Sequence, residues 1–176
     1  IRRQMEEYGH NDTELADWLD RIAPPKDSGE KSRLVDMDAM ARRGYFHPRA
    51  GGRTSIKVTL PAVLQAYRSP RIPQWLQGFD PGVNLLGHDA NGLINPYKLL
   101  PAIQLIDSEY GSGEEEDGDD YVVNEGTGAM RAYQDMFYGL AKDDPRKQEK
   151  LRNALLTYCK LDTLAMVVIW EHWRTA

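Results

Sequence analysis

A tyrosine and an aspartate lie one helical turn apart near the C-terminal end of the sequence. Tyr158 and Asp162 belong to a stripe of mostly apolar residues spaced by three or four positions, as on one face of an α-helix. An ionised carboxylate in such a stripe is costly unless it meets a cation or a metal ion, and the tyrosine hydroxyl can reach the same pocket. The alternative is a structural acid that pairs with a buried arginine or a backbone amide. The stripe consists of Leu151, Leu155, Tyr158, Asp162, Ala165, Met166, Ile169 and Trp173.

A basic segment is the second candidate for chemistry. Between Ala39 and Phe79 the sequence contains no acid. The net charge of −5 hides this segment, since residues 107–120 contain eight acids and no base. Ser55 is expected near the start of a helix, where free backbone amides favour a phosphate, and we place Arg49, Arg53, Ser55 and Lys57 at a nucleic-acid contact. Phosphate contacts give affinity that does not depend on base sequence. A solvated basic surface without a ligand is the alternative. The basic residues are Arg42, Arg43, Arg49, Arg53, Lys57, Arg68 and Arg71.

The elements that would position these residues are mostly helices. The last helix is predicted to begin after a capping Asp144 and to run to about Trp173. Thr54 or Ser55 would cap a helix that runs to about Tyr67, with Pro61 as a local irregularity. Residues 69–124 are rich in proline, glycine and acids, and predict an irregular insert with an acidic loop and one hairpin. The remaining predicted elements are helices over 2–9, 13–22, 38–44 and 125–141 and a strand over 34–37.

Composition excludes several classes of protein. The chain has 176 residues, 41% of them hydrophobic and 28% charged, and a single cysteine, Cys159. It therefore forms no internal disulfide and no cysteine-based zinc site, which fits a cytoplasmic location. The sequence contains no run of 18 apolar residues and no signal peptide, so no membrane association is expected. Phosphate-loop, dinucleotide and serine-hydrolase fingerprints are also absent.

Three blocks of sequence carry a resemblance to a nuclease family. The segment LLTYCKLDTLAMVVIWEHW, 155–173, resembles the third exonuclease motif of the DnaQ-like, or DEDD, nucleases, and its tyrosine is typical of the DEDDy subtype. YFHPRAGGRTSIKVTLPAVL, 45–64, and EGTGAMRAYQDM, 125–136, resemble blocks of one uncharacterised bacterial family with this fold. The resemblance covers the chain from about 1 to 173, apart from 69–120. It implies an α/β, ribonuclease H-like fold, here as a helix-rich C-terminal portion with an irregular insert.

The resemblance also implies an activity, which is metal-dependent 3'-5' exonuclease cleavage of DNA or RNA. In such nucleases four carboxylates hold two ions, Mg²⁺ or Mn²⁺. Asp162 would be the last carboxylate and a metal ligand, and Tyr158 would orient the attacking water. We expect 1–176 to be a single domain fragment that is inactive alone and needs its N-terminal half or a complementing chain. A non-catalytic nucleic-acid-binding module and a structural piece are the alternatives.

The first two carboxylate motifs of that family are not found on a strand-like run of this sequence. Asp107-Ser108-Glu109 has the letters of the first motif, an Asp-x-Glu, but it opens the acidic loop. Asp36 and Asp38 follow the strand candidate, where a structural role at a strand–helix junction is the preferred interpretation. The sequence therefore predicts one carboxylate of the four.

Overall fold

The computed structural model describes residues 2–90, 92–102, 123, 126–139 and 141–176. Contacts divide the chain into two compact units, Ile1–Tyr45 and Phe46–Ala176, which we describe separately. The acidic run and Asp107-Ser108-Glu109 lie outside the described residues. A single domain fragment over 1–176 stays a prediction.

The first unit contains three helices: α1 (Arg2–Glu7), α2 (Thr13–Ile22) and α3 (Met37–Gly44). Asp12 caps α2 because its Oδ1 accepts a hydrogen bond from the Leu15 amide at 2.8 Å, which satisfies one of the amides that a helix start leaves unpaired. The helices predicted over 2–9, 13–22 and 38–44 are confirmed within a few residues.

The strand predicted over 34–37 is wrong. Leu34 and Val35 are exposed in an irregular segment, and Met37 already begins α3. Asp36 caps α3, since its Oδ1 accepts a hydrogen bond from the Ala39 amide at 2.9 Å. The helix therefore starts within the run that the sequence predicts to be a strand. Asp38 forms an ion pair with Arg42 one turn later. Both carboxylates therefore have local structural roles, as preferred from the sequence, although the junction joins a loop to a helix.

The second unit is built around one long helix, α7 (Pro145–Thr175), against which α4 (Ile56–Val63), α5 (Arg71–Gln77) and α6 (Gly126–Tyr138) pack. Strands β1 (His88–Asp89) and β2 (Gly92–Leu93) form an antiparallel pair. Two 3-10 helices cover Pro48–Ala50 and Pro96–Leu99. The described part is thus helix-rich with one two-stranded sheet, and the ribonuclease H-like α/β fold stays a prediction.

Helix α7 begins where the sequence predicts. Asp144 Oδ1 accepts from the amides of Arg146 and Lys147 at 3.0 and 3.1 Å, and Pro145 occupies the first turn. Most of the predicted stripe is buried or half-buried, whereas Met166 is 45% exposed. Helix α7 is also long and apolar enough to cross a membrane. Core helices of soluble proteins meet the same criteria of length and composition.

The stretch predicted as an irregular insert, 69–124, is more ordered than expected in its described part. It contains α5 as well as the predicted hairpin, and it contributes buried side chains to the core. The sequence hides α5 because Pro70 precedes the helix and Pro73 lies within its first turn, where a missing amide costs little. The buried side chains include Ile72, Leu76, Phe79, Leu85, Tyr97 and Leu100.

The predicted helix over 125–141 is confirmed as α6, which ends at Tyr138. The side chains whose spacing predicts it are exposed: Met130 by 65%, Tyr133 by 55% and Phe137 by 47%. Ala132 is instead fully buried, which lets α6 lie close against its neighbours.

A buried acid ties the C-terminal end of α7 to the start of α5. Glu171 is 5% exposed. The Ser69 hydroxyl donates to Glu171 Oε1 at 2.8 Å, and Arg174 donates to Oε2 at 2.7 Å. These bonds satisfy a carboxylate that would otherwise be costly to bury.

Candidate functional site

Four side chains from three elements meet beside the middle of α7, and we call them the Asp162 cluster: Lys57, Tyr97, Tyr158 and Asp162. Tyr158 is 8% exposed, and Asp162 is half-buried one turn later on the same face. The Tyr97 hydroxyl donates to Asp162 Oδ1 at 2.5 Å. Lys57 Nζ lies 5.2 Å from the ring centroid of Tyr97 and 5.1 Å from that of Tyr158. The structure thus brings two residues of the predicted catalytic motif together with one predicted phosphate contact.

The position of Tyr97 depends on a proline in a different element. Pro61 lies within α4 and has no amide hydrogen, so it cannot bond the carbonyl of Lys57 four residues earlier. The side-chain amide of Asn95 donates to that carbonyl instead, at 3.3 Å. Asn95 Oδ1 also accepts from the Tyr97 amide at 3.2 Å and caps the second 3-10 helix. The side chain of Asn95 therefore anchors the segment that carries Tyr97 to α4, at the carbonyl that Pro61 cannot bond.

The Asp162 cluster keeps the Tyr97 phenol protonated. Burial raises the pKa of Tyr97 far above its usual value, and the hydrogen bond to Asp162 and the negative charge there raise this pKa further. Tyr97 consequently remains a hydrogen-bond donor at neutral pH, and a bond from a hydroxyl to a carboxylate is among the stronger kinds. Lys57 adds a positive charge above the two rings, whose faces favour a cation.

The other predicted nucleic-acid contacts lie outside the Asp162 cluster. Ser55 precedes α4, as predicted, but its side chain makes no capping hydrogen bond, and both it and Arg53 are exposed. Arg49 is exposed, and its guanidinium lies against the side-chain amide of Gln65. Helix α4 ends at Val63, before the predicted end near Tyr67. Of these four residues, Lys57 lies beside the predicted catalytic pair, with its Nζ over the ring of Tyr158.

The described residues do not by themselves fit a two-ion metal site. Within them, no group of three or more histidine, cysteine, aspartate or glutamate side chains could hold a metal. Asp162 is the carboxylate of its cluster, and one carboxylate holds Mg²⁺ weakly. The site implied by the nuclease resemblance therefore needs carboxylates from beyond the described residues, and we derive no metal-dependent step from this structure.

Sequence reasoning missed Tyr97 and Asn95. Both fall in the stretch predicted to be irregular, and no spacing rule connects them to a helix more than sixty residues later. One signal was present: Pro61 inside a predicted helix implies a carbonyl that needs an outside donor, and Asn95 before Pro96 is a typical cap. The sequence does not say that these two features meet.

Comparisons of the chain with family models, with curated proteins and with solved structures give no match.

Proposed function

We propose that this chain is the C-terminal part of a metal-dependent 3'-5' exonuclease domain of the DEDDy type, which hydrolyses phosphodiester bonds in DNA or RNA. The observation that supports this proposal most is the clustering of Tyr158 and Asp162 on one face of α7, with Lys57 over the ring of Tyr158. A tyrosine and a carboxylate at the spacing of the nuclease motif lie on the inner face of α7, with a lysine beside them.

Each residue of the Asp162 cluster has a definite task in this proposal. Asp162 provides a carboxylate oxygen, the hard ligand that Mg²⁺ and Mn²⁺ prefer. Tyr158 orients the attacking water. Lys57 binds a phosphate oxygen of the nucleic acid, as a compact cation does well. The other carboxylates come from an N-terminal half or a complementing chain, so the described chain is inactive alone.

A non-catalytic nucleic-acid-binding module is the second candidate, and one observation favours it. Asp162 already accepts a short hydrogen bond from Tyr97, and Lys57 adds positive charge to the cluster. Asp162 therefore has a hydrogen-bond partner that is not a metal ion. The basic segment would then bind phosphates without cleaving them.

Nuclease assays on this chain, alone and with the N-terminal half of its parent protein, test the proposal. Labelled single- and double-stranded DNA and RNA are incubated with Mn²⁺ or with EDTA. We expect trimming from the 3' end that needs both Mn²⁺ and the N-terminal half. Asp162→Asn should lower the rate by about a thousandfold, since a metal-site carboxylate contributes several kcal/mol to the transition state.

The matched control is Asp143→Asn, which changes an exposed aspartate just before α7 and should leave the rate unchanged. If Asp162→Asn folds and cleaves like the unmodified protein, Asp162 is a structural acid and the exonuclease proposal fails. Nucleic-acid binding without cleavage of any substrate would establish the binding module instead.

A further inference from the structure

Tyr97 lies in a different element from Tyr158, and its hydroxyl bonds directly to Asp162. It lies in the second 3-10 helix, outside every segment of the nuclease resemblance, and it is 2% exposed. A side chain so deeply buried does not reach a nucleic acid. Its hydroxyl nevertheless contacts Asp162, the carboxylate on which the proposed function depends.

We propose that Tyr97 is a positioning residue that fixes the rotation of the Asp162 carboxylate; this inference rests on the proposed function. The last torsion of an aspartate side chain is soft and has no sharp minimum. The hydrogen bond from Tyr97 to Oδ1 removes that freedom and determines where Oδ2, the oxygen that Tyr97 does not contact, is directed. Fixed ligand orientation through an outer hydrogen-bond partner is a general requirement of such sites.

The position of Tyr97 is itself fixed on three sides. Its amide donates to Asn95 Oδ1 at 3.2 Å, and the side chain of Asn95 is held by the Lys57 carbonyl. Its ring packs against Tyr158 at a centroid distance of 6.1 Å and an angle of 58°, a favourable tilted arrangement. Lys57 Nζ lies over the same ring. A donor held in this way keeps its hydroxyl in one place.

Tyr97→Phe removes the hydroxyl and keeps the ring, so it is the variant to test. Exonuclease rates are measured with the chain and the N-terminal half of its parent together. We expect kcat to fall about ten- to a hundredfold, which is typical for loss of an outer-shell partner, with no change in KM for the nucleic acid. Tyr133→Phe, at an exposed tyrosine of α6, is the matched control and should change neither constant.

A double-mutant cycle of Tyr97→Phe with Asp162→Ala, which removes the accepting oxygen, is read by urea unfolding and reports the contact without any activity. We expect the two substitutions to be non-additive, because each removes the same hydrogen bond. If Tyr97→Phe does not fold, Asn95→Ser replaces it in the rate measurement, since it weakens the anchor of the unchanged tyrosine.

Each outcome decides the inference. Additive substitutions would mean that the Tyr97–Asp162 bond is absent, which overturns it. A coupled cycle with normal kcat in Tyr97→Phe would make the contact structural, which also overturns it. A rise in KM with unchanged kcat would place Tyr97 at the substrate and overturn the positioning role. If the unmodified protein cleaves no substrate, the proposed function fails and the inference with it, and that result is recognised before any variant is made.

Discussion

The side chain of Asn95 makes two hydrogen bonds, and one of them goes to the carbonyl that the amide of residue 61 would bond if Pro61 had one. Asn95→Ala removes the cap of the second 3-10 helix, which costs about 1 kcal/mol, and leaves the Lys57 carbonyl without its side-chain donor, which costs about 1 kcal/mol more. The expected loss of unfolding free energy is therefore about 2 kcal/mol. In a Pro61→Ala background the new amide of residue 61 can bond that carbonyl within α4. Asn95→Ala should then cost only about 1 kcal/mol.

Urea unfolding measures this difference when it reports the second unit alone. The chain has four tryptophans, and Trp18 lies in the first unit, so a Trp18→Phe background leaves fluorescence from Trp75, Trp170 and Trp173. With m of about 2 kcal/mol/M, Asn95→Ala should lower the midpoint by about 1 M when Pro61 is present and by about 0.5 M in the Pro61→Ala background.

Pro81→Ala is the control background, because Pro81 is exposed in a loop; there Asn95→Ala should keep its full cost. Equal costs of Asn95→Ala with and without the Pro61→Ala substitution would refute the argument that the missing amide anchors the Tyr97 segment. A change in m would mean that the substitution alters the extent of unfolding, and only variants with the same m are compared.

Two further predictions concern charge. Lys57→Gln should weaken nucleic-acid binding and reduce the magnitude of its salt slope by about one, as expected for loss of one phosphate contact; Lys142→Gln, at an exposed lysine, should change the slope little. The hydrogen bond from Ser69 and the contacts of Arg174 lower the pKa of Glu171. A lowered carboxyl pKa stabilises the fold above the unfolded value of 4.5, and this contribution is lost as the pH falls through the folded value. Ser69→Ala should therefore destabilise the second unit more at pH 7 than in acid below the folded pKa of Glu171, as read by urea unfolding. Thr163→Ala, whose hydroxyl donates to a neutral carbonyl, should show no such pH dependence.

Local signals predicted the helices well and the irregular segments poorly. Asp12 and Asp144 cap helices where the sequence places them, because a cap involves residues only a few positions apart. The run at 34–37 contains residues typical of a strand, but a strand needs a partner, and none pairs with this run among the described residues. Helix α5 was missed because its prolines indicate a loop, although the burial of Ile72 and Leu76 stabilises the helix.

The candidate site was predictable in its helical half. Tyr158 and Asp162 are neighbours through helix geometry alone, and periodicity places them on the inner face. Lys57 was predicted as a phosphate contact, but its place beside this pair depends on how α4 packs on α7. Tyr97 reaches Asp162 because Asn95 holds its segment at the carbonyl that Pro61 cannot bond. Long-range contacts of this kind leave no periodic pattern in a sequence.

The hydrogen bond between Ser69 and Glu171 holds the C-terminal end of α7 in place, so that the rest of the helix can tilt about this end. Asp162 lies nine residues before Glu171 in the same uninterrupted helix, a distance of about 13.5 Å along the axis. A tilt of about 4° around the Glu171 end moves Asp162 sideways by about 1 Å, a displacement that can change the rate of an enzyme about a hundredfold. In the proposed nuclease, substitutions at Ser69 or Arg174 therefore alter the position of Asp162 without touching it, and the stiffness of α7 transmits the displacement.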